Sequence, residues 1–354
     1  MATANESSAV TREWAMPHLS VEEHAARGKT ERAEIPRAAH GAWEALPYRP
    51  DPIALLEEQA KTRVPQLVPI RWGRMLVSPF AFYRGAACVM ASDLAGTARS
   101  GLRAQLCGDA HLANFGVFGS PERRMVFDIN VPMDEFMGAD REQLEQQVRE
   151  ILRGYRGSLQ DDRRHVLEGY NFADMAHKVV GVGSVGPRAW VILLIGRDDQ
   201  DPLLLQAKQA QASVLERFLG KSEYPNSGQR VVAGQRMMQA ASDIFLGWQR
   251  VKGADGIERD FYVRQLRDWK FSAEIAELDR VLLTTYAGLC GWTLARAHAR
   301  SGDRIAISAY LGKSDAFDKA IAEFAIAYAD QTESDHQALA AAVQSGRIQA
   351  ETGL

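Results

Sequence analysis

The residue pattern predicts an α+β chain in which a small antiparallel sheet stands beside a largely helical remainder. Three observations carry that reading. His177 to Gly186, Arg188 to Ile195 and Leu203 to Lys208 read as strands joined by tight turns. Asn114 to Phe118 and Arg124 to Ile129 read as a hairpin about a turn at Ser120-Pro121-Glu122. Elsewhere apolar residues recur at helix spacing, as in Phe82, Ala86, Val89, Met90 and Leu94.

Taken in order, residues 1–50 read as a poorly ordered arm, rich in Ala, Glu and Arg and broken by Pro17, Pro36, Pro47 and Pro50. Residues 51–170 form a segment with helices. Within it Ser78-Pro79 has the form of an N-cap followed by proline at the first helical position, and Gly96 is a natural stop. The charged stretch 139–170 is expected to be helical. Residues 171–270 hold the sheet, with a helix over Val231, Met238, Ala241, Phe245 and Trp248 and a strand from Asp260 to Leu266. Residues 271–354 are helical and are expected to pack with 51–170. Their apolar stripes are Leu278, Leu282, Tyr286, Leu289 and Trp292, then Phe317, Ile321, Phe324 and Tyr328.

A chain of 354 residues suffices for one large domain or two lobes with a substantial core. A net charge of −3 argues against a nucleic-acid partner, which calls for a basic excess. Cys88, Cys107 and Cys290 form no Cys-x-x-Cys pair and fit a reducing compartment. Met1 to Ser20 has no apolar core of the signal-peptide kind, and the apolar run Trp190 to Ile195 is far too short to cross a bilayer. A cytoplasmic protein with no membrane partner is expected.

The chemistry begins at Leu106 to Gly116, which contains Asp109 and, five positions on, Asn114; a second carboxylate, Asp128, follows on an apolar strand. That layout is the catalytic loop of a phosphotransferase. The first carboxylate accepts the hydroxyl proton, while the Asn amide oxygen and the second carboxylate hold Mg²⁺ against the phosphates of ATP. The bland alternative is a turn whose Asp and Asn satisfy nearby amides. Burying Asp128 beside Val126 and Phe127 is costly unless it is paired or bound to metal.

Two further motifs fit. Gly181, Gly183, Ser184 and Gly186 belong to a Gly-x-Gly-x-x-Gly between two strands, a setting that suits a flap over nucleotide phosphates. Lys208 ends an apolar strand, where a kinase carries its phosphate-binding lysine, and Glu216 is its nearest candidate partner. His111 and His298 have no metal-ligand partner four residues on, so packing or surface roles are expected.

Arg74-Met75, Ser78-Pro79-Phe80-Ala81-Phe82-Tyr83-Arg84-Gly85 and Leu106-Cys107-Gly108-Asp109-Ala110-His111-Leu112-Ala113-Asn114-Phe115-Gly116 resemble a widespread bacterial family of unknown function. Its members are grouped with protein-kinase-like and aminoglycoside-phosphotransferase-like proteins. The resemblance extends from about Arg37 to the C-terminus and implies a two-lobed kinase-like fold. Two departures stand out. An ordinary kinase places its glycine loop and lysine before the catalytic loop, whereas Gly181 and Lys208 follow Asp109 here. A circular permutation would still assemble one site. Relatives also carry a further acidic segment after the Phe-Asp strand, where this chain reads Asn130-Val131-Pro132-Met133-Asp134-Glu135. Loss of a carboxylate there would weaken Mg²⁺ binding and impair activity.

The expectation is therefore ATP- and Mg²⁺-dependent phosphoryl transfer to a hydroxyl-bearing acceptor that the residues do not identify. One alternative is a non-catalytic, pseudokinase-like nucleotide-binding module. Another is a metal-dependent phosphoesterase, since Gly108-Asp109-Ala110-His111 also begins a two-metal phosphatase pattern.

Overall fold

Ser20 starts the first helix by a reciprocal cap: its hydroxyl accepts from the Glu23 N–H, and the Glu23 carboxylate accepts from the Ser20 N–H. The computed structural model describes residues 19–120, 122, 124–129, 136–137, 149–178, 182, 185–253, 255–266, 270–271 and 273–353. Helix α1, Val21–Glu34, thus lies inside the stretch expected as an irregular arm. Its cap signal was present, but flanking prolines and a polar composition hid it.

The chain divides into two compact units. The first comprises residues 1–42, 98–104 and 302–325. In it α1 lies against α11, Arg304–Leu311, and Gly28 is the point of closest approach, since a Cβ there would stand 2.1 Å from the Ala306 carbonyl oxygen. Asp303 caps α11 and also meets His24 Nδ1 at 2.7 Å.

The second unit comprises residues 43–97, 105–301 and 326–354. Its helical portion is built from α2 (Pro52–Ala60), α3 (Val68–Leu76), α4 (Pro79–Gly85), α5 (Ala87–Leu94) and the later part of α12 (Ala316–Gln344). Ile53, Leu56, Trp72, Met75, Phe82, Val89 and Leu339 share one core. Ser78 caps α4 and Pro79 opens it, as the sequence predicts. The single helix expected beyond them is instead two, because the chain leaves helical geometry at Ala86, where Gly85 presses on the Met75 side chain. Arg49 ties this portion together, bracketed by Asp93 and Asp335.

Among the described residues two antiparallel sheets are present. The smaller has the order β2-β1-β9, with β1 Phe115–Gly119, β2 Met125–Ile129 and β9 Lys270–Phe271. The expected hairpin is β1–β2, with Gly116 opposite Asp128. The larger has the order β3-β4-β5-β6-β8-β7. Its strands are β3 Phe136–Met137, β4 Asn171–Lys178, β5 Ala189–Ile195, β6 Pro202–Ala210, β7 Gly247–Lys252 and β8 Glu258–Gln265. The strand ahead of the glycines is Asn171–Lys178, and much of the stretch His177 to Gly186 expected as a strand lies outside the described residues.

One face of the larger sheet, with Trp190, Ile192, Leu205, Ala207 and Val263, packs on Ile151 and Tyr155 of a helix (α6, 149–155) and on Leu167 of α7, Asp161–Glu168. After the short α8, Glu216–Leu219, comes α9, Ser227–Met238. It ends before Ala241, Phe245 and Trp248, which the spacing had assigned to the same helix. Asp243 turns the chain there by accepting from the Phe245 and Gln265 N–H groups, and Trp248 enters β7. Helix α10, Arg280–Ser301, is the expected long helix, but its stripe is rotated. Tyr286, Cys290, Thr293 and Ala297 are buried, while Leu282, Leu289 and Trp292 are exposed.

Candidate active site

Asp109 is the sole non-glycine residue with positive φ among those described, at +53°. Aspartate tolerates the left-handed region better than most side chains, yet holding it there costs on the order of 1–3 kcal/mol. The fold supplies the restraint. The Asn114 amide nitrogen donates to the Asp109 carbonyl at 2.6 Å, closing the loop across five residues. From α10 the Tyr286 hydroxyl reaches the Leu112 carbonyl at 2.8 Å and the Phe115 carbonyl at 3.0 Å, fixing the turn that enters β1. The Asp109 side chain is left 43% exposed, reachable from solvent.

Its surroundings set its acidity. Burial raises the Asp109 pKa above the ordinary carboxylate value, against the opposing pull of Arg84 and Asn114. Arg84 Nε lies 3.8 Å from one carboxylate oxygen and His111 Nε2 lies 3.7 Å from the other. His111 is buried edge-on against Phe80, and burial, aided by Arg84, pushes its pKa down to about 4. The Cys107 thiol is driven up to about 11 by burial and by the charges of Asp109 and Asp128.

Asp128 is fully buried. One of its oxygens accepts from the Ile129 N–H at 2.9 Å. The other accepts from the Ala240 N–H at 2.8 Å and from Arg296 Nη2 of α10 at 2.7 Å. The carboxylate thus joins the hairpin, the segment after α9 and α10. Asn114 is also buried, and its Oδ1 has no hydrogen-bond partner. A buried carbonyl oxygen without a donor is costly unless a cation or ligand completes it. Asn114 Oδ1 and the Asp128 oxygen facing only Ile129 N–H are hard oxygen donors of the type Mg²⁺ accepts.

Lys208 is buried on β6, opposite Ala189 on one side and Tyr262 on the other. Tyr262 in turn faces Trp248, over whose ring lies Arg236 of α9. Directly opposed residues share a face, so Lys208 stands on the side of the sheet that α9 covers. The residue two beyond the end of α9, Ala240, is the one that donates to Asp128. Glu216 does not sit on that helix. It heads α8, where its carboxylate accepts from the Ser213 N–H at 3.1 Å. The helix that does cover the lysine face, α9, has no acidic residue.

Gly181, Gly183, Ser184, Asp134 and Glu135 lie outside the described residues. Gly186 is described, at φ +113°. Its carbonyl accepts from the Val64 N–H at 2.9 Å, and a Cβ would stand 2.7 Å from the Arg63 side chain. The glycine is required there by Arg63 as well as by its backbone. Arg84, Tyr286, Ala240 and Arg296 were not singled out from sequence as site residues. Arg84 belongs to the Ser-Pro-Phe motif and had a local signal; the other three are brought in by tertiary structure alone.

The profile of a family described as an uncharacterized protein conserved in bacteria (DUF2252) matches residues 63–140 and 131–342. The two stretches overlap at 131–140, where the chain departs from the acidic segment expected after Asp128. No curated protein and no solved structure matches the chain.

Proposed function

We propose that this chain, which belongs to the DUF2252 family of uncharacterized proteins conserved in bacteria, is a kinase-like phosphotransferase. It takes its phosphoryl group from ATP with Mg²⁺ and passes it to a hydroxyl-bearing acceptor. The observation that carries this reading is Asn114, whose buried amide oxygen has no partner while its amide nitrogen holds the backbone of the strained, accessible Asp109; the fully buried Asp128 lies on the hairpin that this loop enters. In this reading Asp109 accepts the acceptor's proton, and its raised pKa brings it nearer the range useful to a base. Asn114 Oδ1 and Asp128 would hold Mg²⁺, which when bound neutralises phosphate charge.

The order of elements in the larger sheet supports a permuted kinase-like arrangement. Strands β4, β5 and β6 form a meander with the glycine-rich stretch in its first connection and a buried lysine on its third strand. A helix on the lysine face follows. The sequence order is inverted, but Ala240 links the helix side of that sheet to Asp128.

One observation favours a second reading, a nucleotide-binding module without transfer: Arg296 already neutralises Asp128. Transfer from radiolabelled ATP to a library of small hydroxyl compounds and to the protein itself separates the two. The first reading expects turnover that falls about 10²–10⁴-fold in Asp109→Asn. The second expects ATP to raise the melting temperature with no transfer in either protein. Absence of any response to ATP, with or without Mg²⁺, rejects both.

A further inference from the structure

Arg49 in the second unit lies between two carboxylates, Asp93 and Asp335. Among the described residues, Arg63 and Arg71 have no such carboxylate pair. Arg71, on α3, is fully buried. Its Nη2 donates to the Gly85 carbonyl at 2.6 Å and to Gln59 Oε1 at 3.0 Å, while its Nε and Nη1 have no partner. Arg63 donates through Nη1 to the Val185 carbonyl and through Nη2 to the same Gln59 Oε1 at 3.2 Å, and its Nε is unpartnered. Two guanidinium groups therefore converge on one neutral amide oxygen.

The electrostatics agree with this arrangement. Burial lowers Arg71 to about 9, helped by repulsion from Arg63, and lowers Arg63 to about 10. The group of opposite sign bearing on either is the Cys88 thiol, itself held protonated by burial. A buried cation without a counter-ion is unfavourable, and two adjacent ones more so. Guanidinium forks match phosphate oxygens in shape and charge. Gln59, which both arginines touch, forms part of the wall of an open cleft of about 520 Å³; Gln209, Gln211, Arg250 and Arg259 also line it, as do the carboxylates Glu258 and Asp260, the latter paired with Arg250. On its inner side the pair abuts the end of α4: Arg71 holds the Gly85 carbonyl, and the preceding residue, Arg84, approaches Asp109.

We propose that Arg63 and Arg71 form a binding site for a phosphate group entering by that cleft, and that the Gln59 amide oxygen occupies the place of a phosphate oxygen in the free protein. Binding there does not depend on phosphoryl transfer. The phosphate comes either from the nucleotide or from a phosphorylated acceptor.

The test is calorimetric titration and thermal melting with inorganic phosphate and with pyrophosphate, in metal-free buffer, on the full chain. The wild type binds one of these anions and melts at a higher temperature with it. Arg71→Met, which keeps the volume and removes the uncompensated charge, melts no lower than wild type without anion and binds at least tenfold more weakly. Arg63→Gln, at a partly exposed position, provides the second variant and weakens binding likewise. Asp109→Asn keeps phosphate binding whatever it does to transfer, so failure of the functional reading and failure of this site are distinguishable. ATP competing with phosphate assigns the site to the nucleotide; simultaneous binding assigns it to the acceptor. No anion response in the wild type, or wild-type affinity in both arginine variants, overturns the proposal.

Discussion

At Asp128 a single carboxylate accepts three donors from three places in the chain, and removing any one partner has a definite cost. Arg296→Ala leaves the buried carboxylate without its cation and is expected to cost about 3–5 kcal/mol in urea unfolding. If Asp128 is a metal ligand, millimolar Mg²⁺ recovers part of that loss in the variant and little in the wild type. A second residue-scale expectation concerns His111. Its folded pKa, about 4, lies below the ordinary 6.5, so the unfolded chain binds more protons between those values. Its contribution is present above pH 6.5 and is lost as pH falls towards 4, a swing of about 3 kcal/mol. The urea midpoint of His111→Asn should therefore fall less steeply over that range than that of the wild type. Asp109, Asn114 and Asp128 were legible because their relation is local, a loop leading into a hairpin. Arg296 was not, since nothing in the chain marks one arginine of α10 as reaching back to β2.

Among elements, those with end signals read most faithfully. Ser78 and Pro79 announce α4, and Ser78→Ala is expected to cost about 1 kcal/mol, measured by thermal melting. Because α4 carries Arg84 at its far end, the same substitution should slightly disturb the Asp109 pKa. Tyr286→Phe removes the hydroxyl that donates to the Leu112 and Phe115 carbonyls, and a loss of about 0.5–1.5 kcal/mol is expected from chemical denaturation. The readings that failed did so through periodicity. Ala241, Phe245 and Trp248 keep helical spacing after α9 has ended, because Asp243 makes a turn whose signal is one side chain on two backbone groups. On α10 the exposed Leu282, Leu289 and Trp292 outweigh in hydrophobicity the smaller buried Cys290, Thr293 and Ala297. A stripe drawn by size therefore points about one residue away from the core.

On the scale of the whole molecule, the sequence reading of a small antiparallel sheet plus helices held, and the sheet has six strands among the described residues. Strand order could not be read, because β6 pairs with β8 across the intervening α8, α9 and β7. That order matters for the functional reading, since it puts Lys208 under α9. Lys208→Met keeps most of the buried stem and removes the ammonium. It is expected to weaken ATP binding roughly tenfold, the worth of one charge-assisted contact, read by calorimetry. Unaltered affinity would detach the sheet from the site. No helix among the described residues is long and apolar enough to cross a membrane.

Helix α10 touches the site twice, through Tyr286 on the loop leading into β1 and through Arg296 on Asp128. These grips are ten residues apart, about 15 Å along one rigid rod. Sliding or rolling that rod by a single residue would turn both away together. The loop of the strained aspartate and the buried carboxylate are geared to a common shaft, so whatever moves the shaft shifts both in the same stroke.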